Sequence, residues 1–378
     1  MKVASLMYAA GALERLSEYQ AEPGQGLVIL FGSSELLEHP EPFLDVAQMF
    51  PTAAIVGCST SGEILDSHIK DASLVMAVIR FDRTRVRCAS ASMTSGIDSQ
   101  EAGMAIVRQL LAPDLRALLI FSDGLHVNGS ELIRGVNSEL PDSVLVTGGL
   151  AGDGDRFRRT WVLADGRPQS QCVTAVGLYG DHIRVGHGSK GGWDQFGPER
   201  VVTRSKGNVL YELDHRPALQ LYREYLGDRA SGLPATALLF PLSVRLGPAS
   251  EKRLVRTILG IDEAAQSMTF AGDMPEGALA QLMHANFDRL IQGAADAGAS
   301  IGLRDQCMGD TLAIAISCVG RRLVLGERSE EEIEATLDVL PPGTKQIGFY
   351  SYGELSPYGT GRCDLHNQTM TLTTLSEV

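Results

Sequence analysis

Gly348-Phe349-Tyr350-Ser351-Tyr352-Gly353-Glu354-Leu355 and Asp364-Leu365-His366-Asn367-Gln368-Thr369-Met370-Thr371-Leu372-Thr373-Thr374 both carry the pattern of β-strands. The first sets three aromatics among small residues; the second roughly alternates apolar and polar side chains, with Thr and Leu prominent. Pro357, Gly359 and Gly361 punctuate the link, as in a hairpin-like connection. Glu354, His366, Asn367 and Gln368 stand on segments that otherwise read as core, where polar side chains need partners. Such a set is either a satisfied polar network inside a sheet or the wall of a ligand pocket.

Outward from this pair, 378 residues suggest two domains with a substantial core. The net charge of −13 argues against binding nucleic acid or an anionic membrane surface. The chain contains no run of about 18 apolar residues that would cross a membrane. Glu14 and Arg15 interrupt the N-terminal region where a signal peptide would need an apolar run, so a cytoplasmic location is expected. Cysteines at 58, 88, 172, 307, 318 and 363 form no CxxC pair. That removes a zinc site of the usual spacing and a CxxCH haem attachment, and leaves reduced, mostly buried thiols.

A repeat organises the first half. The apolar run Leu27 to Phe31 leads to Gly32-Ser33-Ser34, a helix near Pro42 to Met49, Pro51, and a strand ending in Gly57-Cys58-Ser59-Thr60-Ser61-Gly62-Glu63. Ala117 to Phe121 leads to Ser122-Asp123-Gly124, a helix near Ser130 to Asn137, Pro141, and a strand ending in Thr147-Gly148-Gly149-Leu150-Ala151-Gly152-Asp153. Phe31 to Pro51 and Phe121 to Pro141 are both 20 residues apart, and two extended runs follow each loop. This is an internal duplication of a β-α-β unit followed by a hairpin. The glycines match neither a phosphate-binding loop nor a dinucleotide fingerprint. They either let strands pack closely or let the two loops line a cleft with Ser59, Thr60 and Asp153.

Further on, Gly207-Asn208 suits a hairpin turn, and Asp214 can cap a helix over Pro217 to Leu226 that stops at Gly227. Strands are expected at Ala237 to Phe240, Leu254 to Leu259, Ser267 to Phe270 and Leu312 to Cys318. Helices are expected at Ala278 to about Ala294 and at Glu330 to Leu340. The fold class is α/β in the mixed α+β sense: two modules with mixed sheets flanked by helices, with the duplication in the first.

The two loop motifs, Pro217-Ala218-Leu219 with Tyr222 and Tyr225, Ala271-Gly272-Asp273-Met274-Pro275-Glu276-Gly277, and Gly348 to Glu354 together resemble the FIST domain. The resemblance covers nearly the whole chain, as a FIST N-type module over 1–195 and a FIST C-type module over 196–378. It implies a sensory input domain of signal transduction for a small ligand, an amino acid among the proposals, and no catalysis. Such domains are often fused to output modules. This chain leaves no room for one, so the expectation is a separate partner, with homo-oligomerisation a further option. The ending Asp364 to Thr369 also resembles the bacterial NosP-type sensors. That likeness implies haem b, nitric oxide sensing, and regulation of a histidine kinase or a cyclic-di-GMP enzyme.

Haem b needs an axial side chain and an apolar pocket. Of eight histidines, His366, His284 and His187 stand in suitable text, His366 first as metal ligand, with a thiolate from Cys58, Cys318 or Cys363 as the lesser option. A haem-free amino-acid receptor would use Arg256, Asp153 and Glu354, with Cys58, Ser59, Thr60, Tyr352 and Asn367 around them. An enzyme could draw on Cys58, Ser59 or Ser317 as nucleophile and Glu354 or His366 as base. No G-x-S-x-G elbow or recognised spacing assembles them, so the expectation is a non-enzyme.

Overall fold

The apolar runs expected as buried strands pair in parallel, and they do so three times. Gly26–Gly32 lies beside Ala54–Ser59, Leu115–Ser122 beside Leu145–Leu150, and Leu312–Cys318 beside Lys345–Ser351. The computed structural model describes residues 1–9, 13–93, 96–233, 235–250, 252–302, 310–358 and 361–378. Glu41–Met49 and Gly129–Glu139 cross over in the first two pairs, Val319–Leu325 and Ser329–Asp338 in the third. An antiparallel return strand follows in each copy: Leu74–Arg80, Cys172–Tyr179 and Met370–Glu377. The duplication is present, and a third copy extends it. That copy escapes the spacing test because two helices replace one, so Ile316 to Pro341 is 25 residues instead of 20.

Between its parallel and return strands, each copy sends a hairpin into another copy's sheet. Glu63–Leu65 and His68–Lys70 join the third copy's sheet, Val162–Ala164 and Arg167–Gln169 the first, and Gly353–Pro357 and Cys363–His366 the second. Edge strands Lys2–Met7, Arg85–Ser92 and Ile183–Lys190 complete three six-stranded mixed sheets in a cyclic, pseudo-threefold exchange. Residues on both sides of position 195 therefore share sheets, as where Ile183–Lys190 pairs with Met370–Glu377.

The exchange rewrites the closing pair of strands. The first breaks at Tyr352, with Lys345–Ser351 in one sheet and Gly353–Pro357 in another. The second breaks at Asn367 to Thr369, where Gln368 has φ +62. His366 and Met370 stand on strands of different sheets because of this turn.

Close packing fixes the centre. A Cβ on Gly57, Gly148 or Gly348 would lie 1.7, 1.9 and 1.8 Å from the carbonyl oxygens of Leu30, Ile120 and Ala315, so only glycine lets the paired strands approach. One residue on in each copy, Cys58, Gly149 and Phe349 face the shared core beside Phe31, Phe121 and Ile316. The ring of Phe31 sits 4.6 Å from that of Phe349 and 5.5 Å from that of Phe121, within the usual range for aromatic pairs. Gly149 makes room for this, since a Cβ there would meet Phe349 at 3.1 Å.

Residues 194–284 form a fourth, eight-stranded antiparallel sheet inserted between the second and third copies. Its long strand Asp194–Lys206 turns at Gly207-Asn208 into Val209–Leu213, as expected. The helix is Ala218–Leu226, and Gly227 ends it with φ +56. Asp214 does not cap it; it accepts the Val201 N–H at 2.8 Å and pairs with Arg200. Ala237 to Phe240 is not a strand but lies at the 3-10 turn Ala235–Leu239. The expected helix from Ala278 divides. Leu279–His284 is a strand with Ala280 and Leu282 buried at period two, and Asn286 caps the helix Phe287–Ala299 by accepting the Arg289 N–H. His284 thus stands at a strand end and not on a helix.

Candidate functional site

The two small-residue loops meet, and they meet in contact. Gly152 N–H donates to Ser59 O at 3.0 Å, Gly154 N–H to Ser61 Oγ at 3.0 Å, and a Cβ on Gly152 would lie 2.3 Å from Ser61 Oγ. Ser59 Oγ accepts the Trp161 N–H, and Thr60 Oγ1 donates to Glu63 while accepting the Gly62 N–H at 3.1 Å. Cys58 is sealed in the core, and burial pushes its thiol well up. Asp153 accepts the backbone N–H groups of Phe157, Arg158 and Arg159 at 2.9 to 3.0 Å, and Tyr352 donates its hydroxyl to it while stacking on Phe157. These residues lock the junction between copies.

Glu354 lies in a matching junction. It accepts Ser351 Oγ at 2.7 Å, Thr369 Oγ1 at 2.9 Å and the Thr369 N–H at 3.2 Å. Burial raises its carboxyl to about 8 despite these donors. Across the strand pair stands His366, whose Nε2 lies 2.9 Å from Ser356 O and whose ring stacks on Tyr358. Burial lowers its imidazole to about 4. Next to it the sequence's polar residues are not all satisfied: both amide atoms of buried Asn367 and Oε1 of Gln368 lack a partner among the described residues. Arg256 donates to the main-chain oxygens of Asp273, Val255 and Leu365. Arg256, Asp153 and Glu354 share no hydrogen-bond partner among the described residues.

The three histidines differ in surroundings. His366 is buried, with its Nε2 at a main-chain carbonyl. His187, half-buried opposite Thr373, lines a cavity of only about 130 Å³. His284 lines a cleft of about 580 Å³ with Phe196, Tyr225, Leu226, Arg229, Leu239, Phe240, Ala285 and Phe287. Its size is that of a small-molecule site. Phe196, Leu239 and Phe287 are 44, 38 and 40% exposed there, an apolar surface left uncovered. His284 Nδ1 lies 3.4 Å from Ala285 O, which leaves Nε2 toward other partners. Arg229 sits over the Phe240 ring at 5.3 Å, and Arg200 donates two bonds to the Tyr225 hydroxyl. An imidazole backed by a carbonyl on an apolar wall fits what haem requires, and His284 has that setting. Cys318 and Cys363 are buried and their thiols are raised, which disfavours thiolate ligation. No group of three or more metal-ligating side chains occurs among the described residues.

Reasoning from sequence missed Phe196, Tyr225, Arg229, Phe240 and Phe287. They come from distant segments, and each alone reads as core; only the Asn286 cap signal, by ending the strand at His284, could have placed two of them together.

The FIST N domain family matches residues 26–216 and the FIST C domain family residues 218–357. The chain belongs to the FIST family. FIST domains are sensory domains of signal transduction. The boundary between the two matches falls inside the inserted sheet, at the start of the helix Ala218–Leu226. An uncharacterized protein of Methanocaldococcus jannaschii is 25% identical over 230 residues, which are 56% of this chain and 43% of that protein. The chain thus spans less than half the length of the curated relative it matches. No helix among the described residues is long and apolar enough to cross a membrane.

Proposed function

We propose that this FIST protein is a cytoplasmic, non-catalytic receptor that holds haem b in the His284 cleft and senses nitric oxide, regulating a partner histidine kinase or cyclic-di-GMP enzyme. The observation that carries the reading is the aromatic-walled cleft with one imidazole on its wall. His284 would be the axial ligand. Phe196, Phe240 and Phe287 would cover the apolar faces of the ring, and Arg229 would meet a propionate. Bound there, haem would supply an iron able to take a diatomic gas. The cleft draws on both the inserted sheet and Phe287 of the helix Phe287–Ala299 that precedes the third copy, so occupancy favours one packing of these two parts and biases the surface a partner reads.

The test is an absorption spectrum of protein given hemin, then reduced and exposed to nitric oxide. A Soret band that moves with nitric oxide, and that is lost in His284→Ala but kept in His366→Ala and His187→Ala, is expected. Absence of hemin uptake, or uptake unchanged in His284→Ala, sinks the reading.

A further inference from the structure

A second cavity, of about 360 Å³, lies where the inserted sheet meets the threefold body. Its walls come from three parts of the chain. The helix Gly129–Glu139 gives Ile133 and Arg134, the hairpin strand Cys363–His366 gives Asp364 and Leu365, and the inserted sheet gives Val244, Leu254 and Arg256. Its charges do not balance. Arg134, Lys252 and Arg256 face Asp273 and Asp364, leaving 3 − 2 = +1.

The unmatched charge is the buried one. Arg134 takes the Asp273 carboxylate at 3.0 Å, shared with the Asn128 side-chain amide, and Lys252 pairs with Asp364. Arg256 is 5% exposed and touches only main-chain oxygens, with no carboxylate in ion-pair contact among the described residues. The acids that act on it, Asp273 and Asp364, are already paired with Arg134 and Lys252, so burying this cation is costly and a further anion brought to it is favoured. The other buried arginine, Arg321, has its carboxylate in Glu332 at 2.7 Å.

We infer that the Arg256 cavity is a binding site for a small organic carboxylate with a hydrocarbon body, the carboxylate on the guanidinium and the body against Ile133, Val244, Leu254 and Leu365. Nε and Nη1 of Arg256 are taken by main-chain oxygens, so Nη2 is left to donate to a ligand carboxylate, and the aliphatic walls take the rest. Such a ligand bridges the inserted sheet to the second and third copies. The site is independent of the His284 cleft.

The experiment is a thermal-shift titration of the full chain at constant ionic strength, with sodium acetate through octanoate, benzoate and succinate, and with neutral hexanamide. A saturable rise in Tm is expected from at least one carboxylate, with at least tenfold weaker response to hexanamide. Arg256→Met should abolish it. Because that change strands three carbonyl groups, Leu246→Trp serves as a second variant: Leu246 is 68% exposed on the cavity wall, so the protein should fold while the cavity is filled. His284→Ala should leave the response unchanged. No saturable response to any carboxylate, an equal response to hexanamide, or a response that survives Leu246→Trp overturns the inference.

Discussion

The turns that open the return strands of the first and third copies make a controlled comparison. In the first, Glu63 accepts the N–H and hydroxyl of Ser73; in the third, Glu354 accepts the same two groups of Thr369. Two residues before the donors Ser73 and Thr369 the copies part. Asp71 is clamped by Arg322 through two bonds at 2.8 and 2.6 Å, whereas the buried side-chain amide of Asn367 has no partner among the described residues. The first turn meets the third copy's helix Val319–Leu325 through Arg322. The third turn faces the inserted sheet, through Gln368 Nε2 to Leu238 O and Arg256 to Leu365 O. The same frame is thus closed where the pseudo-symmetry holds and left open where the inserted sheet interrupts it, and both ligand-sized cavities at the insert lie along that interruption.

The largest expected effect closes the comparison from the satisfied side. Arg321→Met leaves Glu332, which also accepts Ser317 Oγ and the Tyr350 hydroxyl at 2.9 Å, as an unpaired buried charge. The loss should be about 3–5 kcal/mol by denaturant titration. A loss under about 1 kcal/mol would mean that the network is not closed.

Next is the pH dependence of the cross-strand pair Glu354 and His366. Glu354 rises from 4.5 to about 8 on folding, so the folded state holds the extra proton between these values and stability falls as pH rises through them. His366 drops from 6.5 to about 4, so the unfolded state holds the extra proton and stability falls as pH drops from 6.5 to 4. Relative to the parent, Glu354→Gln should remove the loss between pH 4.5 and 8 and expose the acid-side loss. Unchanged curves would place the carboxylate in water.

Smaller effects sharpen the contrast between the two turns. Arg322→Ala should cost about 1 kcal/mol, since its partner Asp71 is largely exposed. Asn367→Leu should be neutral or stabilising by about 1 kcal/mol, because it replaces an unpartnered buried amide. A clear destabilisation would show that Asn367 has a partner.

Much of the body was legible because a buried parallel strand is a short apolar run, and Leu27–Phe31 and Ala117–Phe121 are that. The mixed α+β class followed from these runs and their helices. The exchange of hairpins was not legible. Gly353–Pro357 finds its partner around Gly148, some 200 residues away, and nothing local distinguishes it from a continuation of Lys345–Ser351. Glu354 and Asn367 were legible as polar residues on core strands, and one proved satisfied and the other not. The His284 cleft was half legible: the histidine stood out, but its helical setting was misread because Leu282, Ala285, Leu290 and Ile291 also fit a 3.6-residue period.

The most direct test of the claim that ligand sensing belongs to the interrupted side is hydrogen exchange by mass spectrometry with and without hemin. Slower exchange at 194–200, 222–240 and 279–290, with 57–63 and 148–154 unchanged, is the expected result. Slowing confined to the loops at 57–63 and 148–154 would contradict the account and return the site to the centre of the threefold body.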